Sequence, residues 1–250
     1  MKKVILAALA GVMLTQLTGC ETNEALGRSQ LLLVNHATLE PQALEAWNET
    51  VKTSKISADP VLNKRVKTVA ARIVAAAGMG DRAWEYVLFD NPEPNAFVIP
   101  GNKVGVNTGL FQIVKNDDQL AAVIGHETGH VIAHHAAERA SQQVATSAAI
   151  SIAAGAAGEK YGKTVSNFGG LGAQLGVLLP YSRQHELEAD KLGVDLMAKA
   201  GYTPSQAVEV WRNMQSYRQG NAPLEMVSTH PSDETRIARL QAYIAEKGYK

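Results

Sequence analysis

The sequence has almost no cysteine and no excess of either charge. Cys20 is the single cysteine of the 250-residue chain, and 24 basic residues balance 24 acidic ones. One cysteine cannot form an intramolecular disulfide, and balanced charge argues against the basic stripe that nucleic-acid binding needs. Internal repeats and long low-complexity linkers are also absent from the sequence. We therefore expect no nucleic-acid partner and no repeat architecture.

Long apolar runs are missing after the N-terminal segment. The most apolar later stretch, residues 144–158, is interrupted by Thr146, Ser147 and Ser151. It is shorter than the roughly 20 residues that a membrane-spanning helix requires. We interpret the Ala-, Gly- and Ser-rich region 141–180 as a helix followed by a loop near the functional site. A membrane-embedded hairpin is the alternative interpretation.

The N-terminus has the pattern of an export signal. A positively charged start and an apolar run lead into residues 17–20, which read Leu-Thr-Gly-Cys. These four residues resemble the lipobox of bacterial lipoproteins, which implies cleavage before Cys20 and attachment of lipid to it. An ordinary cleaved signal and an uncleaved anchor are the alternatives. Glu21 is not the Asp that marks inner-membrane retention, so we predict a lipid anchor on the periplasmic face of the outer membrane.

The rest of the chain reads as a helical arm followed by a mixed α and β domain. Residues 20–58 are predicted to be a tether and an N-terminal helical arm, with residues 21–55 mostly helical. Asp59 and Pro60 then begin a helix that stops at Gly78. Three strands are predicted at residues 84–89, 95–99 and 103–107.

A His-Glu-x-x-His motif occupies residues 126–130. Two residues four apart lie on one face of an α-helix, so His126 and His130 can bind one tetrahedral zinc ion. Glu127 lies beside them, where it can take a proton from a water molecule without being a ligand. The sequence therefore predicts a catalytic zinc site on this helix.

The predicted motif helix begins at an Asn116 cap and runs to about Arg139. His134 and His135 extend the histidine pattern, and we interpret them as surface residues or as supports of the ligands rather than as ligands. A catalytic zinc takes three protein ligands, and Glu186 can be the third. Asp190 lies four residues further along the same helix face, where it can accept the free N–H of a ligand imidazole.

Several further pieces resemble one peptidase family. They are Pro94-Asn95-Ala96-Phe97, the motif with His135 beyond it, Ser182-Arg183 before Glu186 and Asp190, and His230-Pro231 with Arg236. Their order and spacing over residues 60–245 resemble the gluzincin metalloendopeptidases that include HtpX, BepA, LoiP and the CAAX prenyl proteases. The lipobox makes the chain most similar to the small periplasmic lipoproteins of that family.

The resemblance implies an α+β fold, a mainly helical zincin-type domain over residues 59–250 with a small sheet beside the active-site helix. Asn95, Ala96 and Phe97 would lie near the edge strand, where the substrate backbone would pair. His230 would lie close to the metal, supported by Arg236. We favour His230 as a hydrogen-bond donor to the oxyanion; a self-inhibiting zinc ligand and a surface histidine are the alternatives.

The predicted function is zinc-dependent hydrolysis of peptide bonds in unfolded or misassembled cell-envelope proteins. Its partners would be protein substrates and, through the lipid on Cys20, the membrane. A non-catalytic periplasmic chaperone or assembly factor using the same groove is one alternative, and a zinc-stabilised structural lipoprotein is another. Glu127 argues against both, because a site that only binds needs no general base.

Overall fold

The computed structural model describes residues 19–156, 182–218, 230 and 234–250. These residues form five strands and seven α-helices, which confirms the predicted α+β, mainly helical fold class. The strands are β1 (Cys20–Asn23), β2 (Arg28–Leu31), β3 (Glu85–Phe89), β4 (Ala96–Ile99) and β5 (Lys103–Asn107). The helices are α1 (His36–Thr53), α2 (Pro60–Ala76), α3 (Asp117–Ile132), α4 (His135–Ala156), α5 (Arg183–Lys199), α6 (Gln206–Arg218) and α7 (Glu234–Glu246).

The N-terminal arm differs from its prediction. Residues 20–31 form an antiparallel hairpin of β1 and β2, with Cys20 opposite Leu31, so the helical prediction is wrong for this part and correct for α1. The turn explains the difference. The Asn23 side chain accepts the N–H of Ala25, and Gly27 adopts a φ of 64° that favours glycine. The predicted signal peptide, residues 1–19, lies almost wholly outside the described residues, and the predicted domain boundaries stay predictions.

The three predicted strands are present and form one mixed sheet. Its order is β3-β5-β4, with β3 parallel and β4 antiparallel to β5. Among the described strands β4 pairs with β5 alone, so its outer edge is unpaired. Phe97 of β4 lies opposite Gly105, where a Cβ would approach the Phe97 ring to 2.3 Å. The glycine therefore makes room for the aromatic ring across the sheet.

Helix α3 lies at the centre of the domain. It begins at the predicted Asn116 cap, whose side chain accepts the N–H of Gln119, and every residue from Gln119 to His130 is buried. Helices α2, α5 and α6 and the edge strand β4 all pack against it. The surrounding core is apolar, with fully buried members that include Ile73, Leu88, Val106, Leu110, Leu120, Ile124, Met197 and Met214. A polar motif on this helix is thus held inside a rigid core.

Small residues let α3 and α5 approach closely. A Cβ on Gly129 would lie 2.8 Å from the carbonyl oxygen of Ala189, and one on Gly125 would lie 3.0 Å from that of Gly193. A Cβ on Gly193 would lie 2.8 Å from the backbone nitrogen of His126. The two backbones are therefore in direct contact along the motif.

Helix α3 ends at Ile132, so the predicted continuation to Arg139 is wrong. His134 has a φ of 54°, and a separate helix, α4, begins at His135. Hairpin side chains satisfy the carbonyl groups at this end: Asn23 donates to Ile132 and Gln30 donates to Ala133, at 3.2 and 2.7 Å. Tertiary capping of this kind leaves no local signal in the sequence.

Helix α4 carries the predicted helical part of region 141–180. The rest of this region, residues 157–180, where the loop was predicted, lies outside the described residues. Within the described ranges, every helix falls short of the length or the apolar character needed to cross a membrane.

We expect Gly129→Ala to destabilise the fold. An alanine normally favours a helix interior over glycine by about 0.5–1 kcal/mol. Here its Cβ meets backbone atoms of Ala189 at 2.8 Å, and overpacking of this kind costs about 1–3 kcal/mol. Urea unfolding of the purified variant should give a free energy of unfolding below that of the wild type. Equal or higher stability would show that the two helices can separate freely.

Candidate metal centre

Four donor groups converge beside helix α3. His126 Nε2 and His130 Nε2 lie 3.1 Å apart, and each lies 3.4 Å from an oxygen of Glu186 on α5. His230 Nδ1 lies 3.0 Å from Glu186 and 3.3 Å from His126 Nε2. One ligand atom from each of these four buried residues lies within 4.8 Å of the others. The surface interpretation of His230 is therefore wrong.

Glu127 lies at the edge of this cluster. Its carboxylate is buried, and burial raises its pKa above the ordinary value. Its Oε1 makes no hydrogen bond within the described part of the chain, and the nearest ionic partner is His230 Nε2, at 3.4 Å. An unsatisfied buried oxygen beside a ligand cluster fits a site that receives water or substrate.

Asp190 and Arg236 surround the second nitrogen of His126. Asp190 Oδ1 lies 3.0 Å from His126 Nδ1, so the contact predicted for Asp190 is present. Arg236 reaches Asp190 Oδ1 at 2.8 Å and Glu186 Oε2 at 2.6 Å, while its guanidinium stacks 3.7 Å from the centre of the Trp211 ring. One arginine therefore holds the carboxylates of Glu186 and Asp190 in place.

The electrostatics of the cluster suit a cation. Burial would raise the pKa of Glu186 and of Asp190, but the charge of Arg236 and neighbouring hydrogen bonds hold both pKa values below the usual range. Burial would lower the pKa of His126, yet its hydrogen bonds to Asp190 and Glu186 raise the pKa to about 9. Glu186 and Asp190 thus face one arginine, and without metal the protonated His126 balances the remaining negative charge. A divalent metal ion bound by the imidazoles and Glu186 would take the place of that proton.

A groove runs from the edge strand to this cluster. Its lining includes Asn95, Ala96 and Phe97 together with Glu127 and His230. The side chain of Ala96 is buried, and the Phe97 ring packs edge-on against Trp47 and parallel to Phe89, each at 6.2 Å between ring centres. These two side chains pack into the core, so β4 presents mainly its backbone to the groove.

A second buried polar cluster adjoins the first, and of its members the sequence indicated His135 alone, as a surface residue or a support of the ligands. His135 Nδ1 lies 2.9 Å from His130 Nδ1, which makes His135 a contact of a candidate ligand. Arg28 of the hairpin binds both Glu138 and Glu188, each through two hydrogen bonds of 2.6–2.9 Å. The available sequence signal for this cluster was the pair His134-His135, followed by Glu138 three residues after His135. Arg28 lies more than 100 residues from Glu138 and Glu188 in the chain, and no local sequence pattern identifies it as their partner.

The second cluster already contains its own cation. The donor atoms of His135, Glu138 and His185 lie close enough together to hold a metal ion. Burial lowers the pKa of His185 to about 4, so this imidazole is neutral at neutral pH. Arg28 donates hydrogen bonds to all four carboxylate oxygens of Glu138 and Glu188, which are the anionic groups that a metal would need. The first cluster is therefore the better candidate for the metal centre.

Comparison with known proteins agrees with this geometry. The sequence pattern of peptidase family M48 matches residues 60–244. The chain is 39% identical over 186 residues to the mitochondrial metalloendopeptidase OMA1 of Schizosaccharomyces pombe, covering 74% of this chain and 54% of the relative. It is 31% identical over 189 residues to the beta-barrel assembly-enhancing protease of Escherichia coli K12, covering 72% of this chain and 38% of the relative.

A third relative aligns over more of the chain. Metalloendopeptidase OMA1 of Danio rerio is 32% identical over 235 residues, which cover 88% of this chain and 49% of the relative. The chain thus spans about half or less of the length of these relatives. The matched region contains the whole donor cluster, from the motif on α3 to Arg236 on α7. The chain belongs to peptidase family M48.

Proposed function

We propose that the protein is a zinc-dependent endopeptidase in which His126, His130 and Glu186 bind the metal and Glu127 is the general base. The observation that carries the proposal is the convergence of these three donors beside a buried oxygen of Glu127 that makes no hydrogen bond to any described residue. Their position at the end of a groove along the unpaired edge of β4 supports an extended peptide as the substrate.

Zinc is the metal used by M48 metallopeptidases, and the donor set fits it. Two imidazoles and one carboxylate are a common set of protein ligands at catalytic zinc sites. When bound, zinc supplies Lewis-acid catalysis, which lowers the pKa of water and polarises the scissile carbonyl.

Proton transfer falls to Glu127. Its carboxylate takes a proton from the attacking water and later delivers it to the leaving amine. The raised pKa of Glu127 suits this double role, because a weakly acidic carboxyl can hold the proton between the two steps. Asp190 keeps His126 in the tautomer whose Nε2 is free to bind metal.

Substrate binding and charge stabilisation involve β4 and His230. We propose that the substrate adds a strand to the free edge of β4, where backbone groups of residues 95–97 would form the hydrogen bonds. His230 lines the same groove, with Nε2 facing Glu127, and would donate a hydrogen bond to the oxyanion.

The substrate class and location are also proposals. The lipobox-like residues before Cys20 support export and lipid attachment, and Cys20 is exposed at the start of β1. One relative is named a beta-barrel assembly-enhancing protease, which supports a role in quality control of unfolded or misassembled envelope proteins. Other relatives are named as mitochondrial, so the lipobox and the Glu21 that follows it carry the proposed outer-membrane location.

We expect Glu127→Gln to keep zinc and to lose at least a hundredfold in the rate of casein cleavage. Glutamine preserves the shape of the side chain but cannot accept a proton, and general-base catalysis contributes about 10²–10⁴-fold. Metal content and cleavage rate of the purified variant are the measurements. Glu209→Gln, which changes an exposed carboxylate on α6, is the control and should cleave like the wild type. Substantial cleavage by Glu127→Gln would refute the general-base role.

We expect Glu186→Ala to lose zinc and Asp190→Ala to weaken zinc binding by about 10–100-fold. The first change removes a proposed ligand, whereas the second removes only the partner that orients His126. Competition with a chromophoric chelator measures both affinities. Wild-type affinity in Glu186→Ala would mean that the third ligand is another residue.

We expect His230→Ala to lower kcat by about a hundredfold with little change in zinc affinity. Removal of one oxyanion donor typically costs about 10²–10³ in kcat. The Nδ1 of His230 also lies among the donor atoms, as a fourth ligand would. Faster cleavage together with weaker zinc binding would therefore identify a self-inhibiting ligand and contradict the oxyanion role.

A further inference from the structure

The two histidines of the motif are supported in different ways. His126 Nδ1 faces the carboxylate of Asp190 at 3.0 Å, whereas His130 Nδ1 faces Nδ1 of another histidine, His135, at 2.9 Å. The Nε2 atoms of both motif histidines point to the shared donor cluster. Each imidazole therefore has one nitrogen for the metal and one for a support, which is the Asp190 carboxylate for His126 and the His135 imidazole for His130.

When His130 Nε2 binds metal, the hydrogen bond between His130 and His135 and the one between His135 and Glu188 can each have only one donor. A metal-bound Nε2 carries no proton, so the proton is on Nδ1, which donates to Nδ1 of His135. His135 must then carry its own proton on Nε2, which lies 2.9 Å from Oε2 of Glu188. The carboxylate of Glu188 thus selects the tautomer of His135, and His135 selects that of His130.

Glu188 is itself fixed from two sides. Arg28 donates from Nε to Oε1 at 2.6 Å and from Nη2 to Oε2 at 2.7 Å, and Gln184 donates to Oε1 at 2.9 Å. This fork geometry allows little rotation of the carboxylate. His135 is fully buried and stacks on His185 with 4.2 Å between ring centres, so its ring plane is held as well.

The residue that fixes Glu188 comes from the N-terminal hairpin. Arg28 begins β2, eight residues after Cys20. The same hairpin is fastened to the end of α3 by Asn23 and Gln30, which donate to the carbonyl groups of residues 132 and 133. The hairpin is therefore linked to the motif helix in two ways. It bonds directly to the C-terminal end of α3, and Arg28 is connected to His130 through Glu188 and His135.

We propose that His135, Glu188 and Arg28 are positioning residues that fix the tautomer and ring orientation of His130 for zinc. The inference rests on the proposed role of His130 as a zinc ligand and extends it to the N-terminal hairpin. Zinc affinity would then depend on an element that precedes the matched peptidase region and directly follows Cys20.

Zinc affinity of the purified full chain, measured by competition with a chromophoric chelator, tests the proposal. His135→Phe keeps the ring volume but removes both nitrogens, and we expect it to bind zinc about 10–100-fold more weakly. His135→Asn offers an amide oxygen near the position of Nδ1, so it can still accept from His130 but loses contact with Glu188. We expect an intermediate loss for this variant.

Glu188→Gln and Glu138→Gln form a matched pair. Both residues are carboxylates that bind Arg28 through two hydrogen bonds, so both variants remove one partner of the same arginine. Of the two carboxylates, Glu188 is the one bonded to His135 Nε2, whereas Glu138 is bonded to Nε2 of His185. We expect about tenfold weaker zinc binding for Glu188→Gln and affinity within twofold of the wild type for Glu138→Gln.

Thermal unfolding of the metal-free variants separates this role from a merely structural one. Equal zinc affinity in wild type, His135→Phe and Glu188→Gln would overturn the proposal. Equal losses of zinc affinity in Glu188→Gln and Glu138→Gln that parallel their losses of thermal stability would also overturn the proposal. His130→Ala tests the underlying assignment separately: wild-type zinc affinity in this variant would show that His130 is not a ligand and would overturn the positioning role with it.

Discussion

The contact between the backbones of α3 and α5 is the constraint on which the site depends. Glycines at 125, 129 and 193 leave no room for side chains between the two helices. Histidines four apart on α3 therefore face carboxylates four apart on α5, and the donor atoms meet without long, flexible side chains. Any wider spacing of the helices would separate Glu186 from His126 and His130 before it disturbed either helix alone.

This arrangement buries several carboxylates, and two arginines stabilise them. Arg236 binds Glu186 and Asp190 in the first cluster, and Arg28 binds Glu138 and Glu188 in the second. A buried carboxylate without such a partner would be strongly destabilising. The two clusters differ in their free donor atoms, because Arg28 bonds all four oxygens of its two carboxylates, whereas the Nε2 atoms of His126 and His130 and an oxygen of Glu186 converge in the first cluster.

The sequence predicted the parts of the site that follow helical periodicity. The spacing of His126 and His130, and of Glu186 and Asp190, correctly paired each set on one helix face, and local caps located the starts of α2 and α3. The hairpin has a local turn signal in Asn23 and Gly27, which the helical prediction for this part did not take into account. The end of α3 at Ile132 was not predictable, since it depends on contacts between segments about 100 residues apart. The contact of Arg28 with Glu188 was not predictable for the same reason, because the two residues lie 160 positions apart in the chain.

We expect one metal ion to complete the active site, and reconstitution with zinc tests this most directly. The purified full chain would be stripped with a chelator, titrated with zinc, and assayed for cleavage of casein at each step. Cleavage should be absent from the stripped protein and should rise to a plateau at one equivalent of zinc per chain. Cleavage that persists without metal, or zinc binding at one equivalent without any cleavage, would contradict the proposed endopeptidase.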